Sequence, residues 1–130
     1  MAVKITWSLN LQVAGGPKIT GTDTLEVDAY DTIEVTVPKK TGTDGTAIVE
    51  VQPLAADKVK LLIIQSSVYK DMTYAVDGGA TGVKLDAQQL FIGAGAIGLL
   101  GTGGPKKITF TNASTTTEAL VQILVGRKAS

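Results

Sequence analysis

Val3, Ile5, Trp7, Leu9, Leu11 and Val13 alternate with Lys4, Thr6, Ser8, Asn10 and Gln12, a period of two held over eleven residues. That spacing puts every apolar side chain on one face of an extended chain and is incompatible with an amphipathic helix, whose period is 3.6. At about 3.3 Å per residue the run would span ~35 Å, longer than a typical strand. It is expected to bend, change sheets or extend as an N-terminal arm (residues 1–14) before Gly15-Gly16-Pro17 ends it.

The alternation recurs down the chain. Leu25, Val27 and Ala29 oppose Thr24, Glu26 and Asp28; after a break expected at Tyr30-Asp31, Ile33, Val35 and Val37 continue it up to Pro38. A turn-rich loop containing Asp44-Gly45 leads to Ala47, Val49 and Val51, and Pro53, which cannot donate to a ladder, stops that strand. Met72, Tyr74 and Val76 precede Asp77-Gly78-Gly79, followed by Val83 and Leu85, Leu90-Phe91-Ile92, and Ile108 with Phe110.

Two segments break the one-sided pattern. Lys58 to Ser67 has an apolar, β-branched centre, Val59 to Ile64, of the length and composition of a central strand. Its phase predicts Val59, Leu61 and Ile63 toward the core, with Leu62 and Ile64 outward. In Ala119 to Val125, Val121, Ile123 and Val125 share one face, and Leu120 and Leu124 the other. If the two strands are neighbours, Leu62, Ile64, Leu120 and Leu124 form one apolar patch. Such a patch is either an interaction surface or is covered by the N-terminal strand or the glycine-rich loop. The fold expected is all-β: one domain over residues 1–130, a jelly roll or related antiparallel β-sandwich of eight or nine short strands.

Composition narrows function by exclusion. The chain has no cysteine and no histidine, which removes disulfides, thiolate and imidazole metal sites, Cys nucleophiles and His-dependent triads. Twelve basic and twelve acidic residues balance, so no global field draws the chain to nucleic acid or to an anionic membrane. The alternating N-terminus is neither a signal peptide nor a membrane span, and synthesis in a cytoplasm is expected.

Gly93-Ala94-Gly95-Ala96-Ile97-Gly98 matches G-x-G-x-x-G after a strand, but a dinucleotide site needs the third glycine to open a helix. Gly98, Gly101, Gly103, Gly104 and Pro105 oppose that helix. The alternative is a close-packing loop whose Ile97, Leu99 and Leu100 cover an end of the sandwich or order against a partner. The Asp-Gly pairs read as turns, lacking calcium-loop spacing. Glu26, Asp28, Asp31 and Glu34 occupy mostly polar alternation positions, so a solvated face is favoured over a glycosidase pair. Trp7, Tyr74 and Phe110 fall in apolar phase and are expected in the core, which leaves Tyr30 and Tyr69 as candidate sugar platforms. Asn112-Ala113-Ser114 is a formal glycosylation sequon that reads as part of a turn.

The progression Val59-Lys-Leu-Leu-Ile-Ile-Gln-Ser-Ser, Met72-Thr-Tyr-Ala-Val-Asp-Gly, Val83-Lys-Leu-Asp-Ala, Ile108-Thr-Phe-Thr-Asn and Ala119-Leu-Val-Gln-Ile-Leu-Val-Gly-Arg resembles the small jelly-roll head decoration, or cement, proteins of tailed bacteriophages. The resemblance covers about the second half of the chain. It implies a non-enzymatic virion protein without cofactors, made in the host cytoplasm and bound to the capsid exterior. Such a protein clamps major capsid protein subunits as a homo-oligomer, a dimer or trimer. The interface candidates are then Leu62, Ile64, Leu120, Leu124, Ile97, Leu99 and Leu100. The alternative is a receptor- or glycan-binding module of a phage tail or fibre; a hydrolase with paired carboxylates ranks last.

Overall fold

The structure, a computed structural model, describes residues 3–42, 45–51, 59–101 and 105–128. Asp44, Pro53, Lys58, Gly103 and Gly104, which the sequence reading invoked, lie outside the described residues. Among the described residues ten strands follow one another: β1 (Val3–Gln12), β2 (Lys18–Val27), β3 (Ala29–Val37), β4 (Thr46–Glu50), β5 (Val59–Ser66), β6 (Met72–Val76), β7 (Val83–Lys84), β8 (Gln89–Ile92), β9 (Lys107–Asn112) and β10 (Ala119–Arg127). A single helical turn, α1 (Ala94–Ile97), and a 3-10 turn (Gly98–Leu100) separate β8 from β9.

β1 and β2 form a two-stranded hairpin, and the other strands form two four-stranded sheets, ordered β3-β10-β5-β8 and β4-β9-β6-β7. All pairings are antiparallel. Within the sandwich the first strand pairs with the eighth, the second with the seventh, the third with the sixth and the fourth with the fifth. That is a long folded ribbon rolled onto itself, the jelly-roll topology.

The alternation explains the core. Val121, Ile123 and Val125 on β10, Ile108 and Phe110 on β9, and Met72, Tyr74 and Val76 on β6 point between the sheets and are buried. The Tyr74 and Phe110 rings meet with centroids 5.8 Å apart, tilted at 50°, within the favourable range for aromatic pairs. The Tyr74 hydroxyl donates to Gln89 Oε1 at 2.6 Å, and Gln89 Nε2 donates to the Lys84 carbonyl at 2.8 Å. One amide thereby ties β8 of one sheet to β6 and β7 of the other.

Three expectations are corrected. The break falls at Asp28, whose N–H donates to the Arg127 carbonyl at 2.8 Å, and not at Tyr30-Asp31. The polar run Lys18 to Thr24 joins Leu25 to Val27 in one ten-residue strand, because β1 is there to pair with it. The phase of β5 is also inverted: Leu62 and Ile64 are fully buried in the core, and Ile63 lies on the opposite face with Leu61. The register shifts between Gly126 and Arg127, pairing Gly126 with Leu61 and Arg127 with Val59 and skipping Lys60. Such a bulge puts Val59 and Leu62 on the same face, although they are three residues apart.

Candidate interaction surface

The hairpin is an amphipathic ribbon. Cross-strand partners Val3 and Val27, Ile5 and Leu25, and Leu11 and Ile19 share one face with Trp7, Leu9 and Val13. Lys4, Thr6, Ser8, Asn10, Gln12, Lys18, Thr20, Thr22, Thr24 and Glu26 make the other, which carries no apolar side chain. The turn closes through Gly16 N–H to the Val13 carbonyl (2.8 Å) and Val13 N–H to the Pro17 carbonyl (3.0 Å), with Gly15 at φ +73°. That backbone conformation suits glycine.

The ribbon's two halves differ. At its base Ile5 and Val27 pack around Gly126, opposite Leu61, on the outer face of the β3-β10-β5-β8 sheet. A Cβ on Gly126 would lie 3.2 Å from Val27 Cγ1 and 3.3 Å from Ile5 Cδ1, so only glycine admits this approach without adjustment. Farther out, Ser8 to Thr20 are exposed throughout, with Leu11, Val13 and Ile19 at 58%, 61% and 63%. Trp7, expected in the core, is half-buried on the ribbon, its ring against Gly21.

The sheet under the hairpin base has a second unpartnered region. Register places Thr32, Leu124, Ile63 and Leu90 in one row across β3, β10, β5 and β8. It is the row next to Tyr30, Gly126, Leu61 and Ile92. A shallow groove of about 500 Å³ runs here, lined by Thr32, Glu34, Ile63, Gln65, Gln122 and Leu124. A polar row bounds it: Gln122 Nε2 donates to Glu34 Oε1 (3.4 Å), Gln65 Nε2 to Gln122 Oε1 (2.5 Å) and Gln88 Nε2 to Gln65 Oε1 (3.0 Å). Leu90 and, beyond the polar row, Leu120 are exposed.

The interface candidates therefore separate. Leu120 and Leu124 lie on the outer face as expected from sequence, but their neighbour there is Ile63 and not Leu62 or Ile64. Ile97 and Leu100 are buried in the main core, and Leu99 between them in sequence is 79% exposed. Leu62, Ile64, Ile97 and Leu100 thus belong to the core and not to a surface. The residues missed by sequence reasoning are Ile63, Leu90 and Ile19. The first was hidden by the bulge, and the last by its setting among threonines and glycines.

The other motifs resolve on the same geometry. Gly98 follows a four-residue helix and enters a 3-10 turn, so the glycine pattern opens no helix that could hold a pyrophosphate. Asp31 lies on the Ile33 side of β3 and pairs with Arg127, whereas Glu34 lies on the opposite side against Gln122. Glu26 is on the polar face of the hairpin. Among the described residues no three His, Cys, Asp or Glu side chains gather as metal ligands, and no helix is long and apolar enough to cross a membrane. Tyr30 is exposed, Tyr69 is half-buried, its hydroxyl accepting from Ser66 N–H at 3.3 Å.

Fold and surfaces together define a jelly-roll module with a projecting amphipathic hairpin. Compared with known proteins, the chain matches no family model, no curated protein and no solved structure.

Proposed function

We propose that the protein is a structural virion component that decorates an assembled phage capsid and stabilises it by bridging capsid subunits. The observation that carries this reading is the distal half of the hairpin, with Leu9, Leu11, Val13 and Ile19 presented to solvent on one face. A two-stranded ribbon is marginal alone in water, and exposing its apolar side adds to that cost unless a partner covers it. Both ribbon edges also keep backbone groups able to add a strand from a neighbouring sheet. The resemblance of β5 to β10 to head decoration proteins supplies a capsid as the partner of those edges.

In this role the protein binds the assembled lattice and not free capsid subunits, so it stabilises the shell by mass action. Many copies, linked by oligomerisation, hold through avidity although each contact is weak. The test is gradient sedimentation of purified protein mixed with capsids that lack it. Co-migration at a fixed ratio to capsid subunits, abolished by the double substitution Leu9→Lys and Leu11→Lys, is the expected result. Protein that stays at the top of the gradient would sink the proposal.

A further inference from the structure

We propose that the distal apolar face of the hairpin is covered by the outer face of the β3-β10-β5-β8 sheet of a second copy of this chain. The inference rests on the docking role given to the hairpin above and names the partner of its apolar face. The ribbon's backbone edges are left open to the capsid.

Three observations select this occupant. First, the base of the hairpin already sits on this sheet within one chain, where Ile5 and Val27 pack against Gly126 beside Leu61. The vacant row of Thr32, Leu124, Ile63 and Leu90 continues that contact into the next register row. The chain therefore contains a demonstrated ribbon-on-sheet fit and, beside it, both halves of a second one.

Second, the two vacant surfaces match in charge. Beyond Asp23 the hairpin's apolar face bears only Leu9, Gly21, Leu11, Ile19 and Val13. The sheet row is equally uncharged, and the neighbouring polar row at the groove's edge brings the carboxylate of Glu34. Neither surface offers the basic groups a nucleic acid or anionic lipid requires.

Third, closure follows from size. The distal half of one two-stranded ribbon is small against the ~1,200 Å² that specific interfaces bury at the low end. One ribbon seated on one sheet would hold weakly, whereas reciprocal seating uses both surfaces of each copy. A two-fold exchange or a closed ring meets that requirement; an open chain of copies does not close.

The test is the molar mass of the full chain by sedimentation equilibrium at tens of micromolar, without capsids. An oligomer is expected, and Leu11→Asp, on a ribbon that contributes nothing to the sandwich core, should raise its dissociation constant by roughly thirtyfold or more. Leu124→Asp should do the same from the other side. Because the chain has no cysteine, Leu11→Cys can be mixed with Ile63→Cys, Leu90→Cys or Leu124→Cys and oxidised. At least one mixed disulfide pair should form between chains faster than either variant links to itself. A monomeric wild type, or an oligomer indifferent to Leu11→Asp, overturns the inference. A monomer that still co-sediments with capsids overturns it while leaving the decoration reading standing; an oligomer that ignores capsids supports it and removes that reading.

Discussion

Ile5 lies over Gly126 so closely that a β-carbon on the glycine would come within 3.3 Å of Ile5 Cδ1. This contact joins the N-terminal hairpin to the last strand of the sandwich, and with Val27 and Leu61 it forms a small cluster outside the main core. The hairpin's orientation depends on a side chain that is missing.

Gly126→Val should therefore release the hairpin without unfolding the sandwich. Alanine asks the neighbours to give by a few tenths of an ångström; valine adds two more carbons and should cost ~1–3 kcal/mol at the hairpin base. Hydrogen exchange checks this. Amides pairing Val3 with Val27 and Ile5 with Leu25 should exchange faster, while those of β9 keep their protection.

Leu62 and Leu124 are both leucines on central strands of one sheet, but one faces inward and the other outward. Leu62→Asp should prevent folding, because an unpaired carboxylate in the core has no compensating partner. Leu62→Ala should cost ~2–5 kcal/mol. Leu124→Asp should leave a cooperative urea transition. If Leu124→Asp also abolished that transition, the outer-face assignment would be falsified.

Burial pushes the Tyr74 hydroxyl up to about 12 from its ordinary value of ~10. The folded state thus holds the proton more tightly than the unfolded chain. The associated stability is complete below pH ~10 and is lost as pH rises through about 12. The loss is on the order of 2 kcal/mol. In urea titrations at pH 8, 10 and 11.5, Tyr74→Phe should flatten this decline relative to wild type. At pH 8 the same variant should be weaker by ~1 kcal/mol for the missing bond to Gln89.

Asn112 is fully buried, and its side chain is used on both sides. Nδ2 donates to the Thr117 carbonyl at 2.8 Å, and Oδ1 accepts from Ser114 N–H at 2.9 Å. Asn112→Ala should lower stability by ~1–3 kcal/mol, measured as a shift in denaturation midpoint. Asn112→Asp should be worse, since it removes the donor facing Thr117. Expression in a glycosylating host should give no modified folded protein, because the amide of the sequon is engaged inside the fold.

Legibility varied with how local the cause was. β1, β6 and β9 could be read directly, since period-two alternation is a property of the strand itself; Tyr74 and Phe110 followed from it. β2 was truncated in the reading because Thr20, Gly21 and Thr22 have no apolar signal of their own and become a strand by pairing with β1. Half of the candidate surface is legible: alternation puts Leu120 and Leu124 outward, as they are, but it predicts Ile63 inward and Leu62 outward, the reverse of the structure.

That exchange marks the boundary between the two levels. By itself the sequence determined an all-β chain, an amphipathic first strand of unusual length, and two central strands apolar on both faces. These are consequences of side-chain order along an extended backbone. Only the tertiary structure decided which face of β5 is inside, because the register shift between Gly126 and Arg127 arises from pairing with Leu61 and Val59, far away in sequence. It also decided the pairing of β3 with β10 and the packing of the hairpin base on Gly126. Strand alternation specifies faces relative to one another, and only contact with a partner specifies which of them is the core.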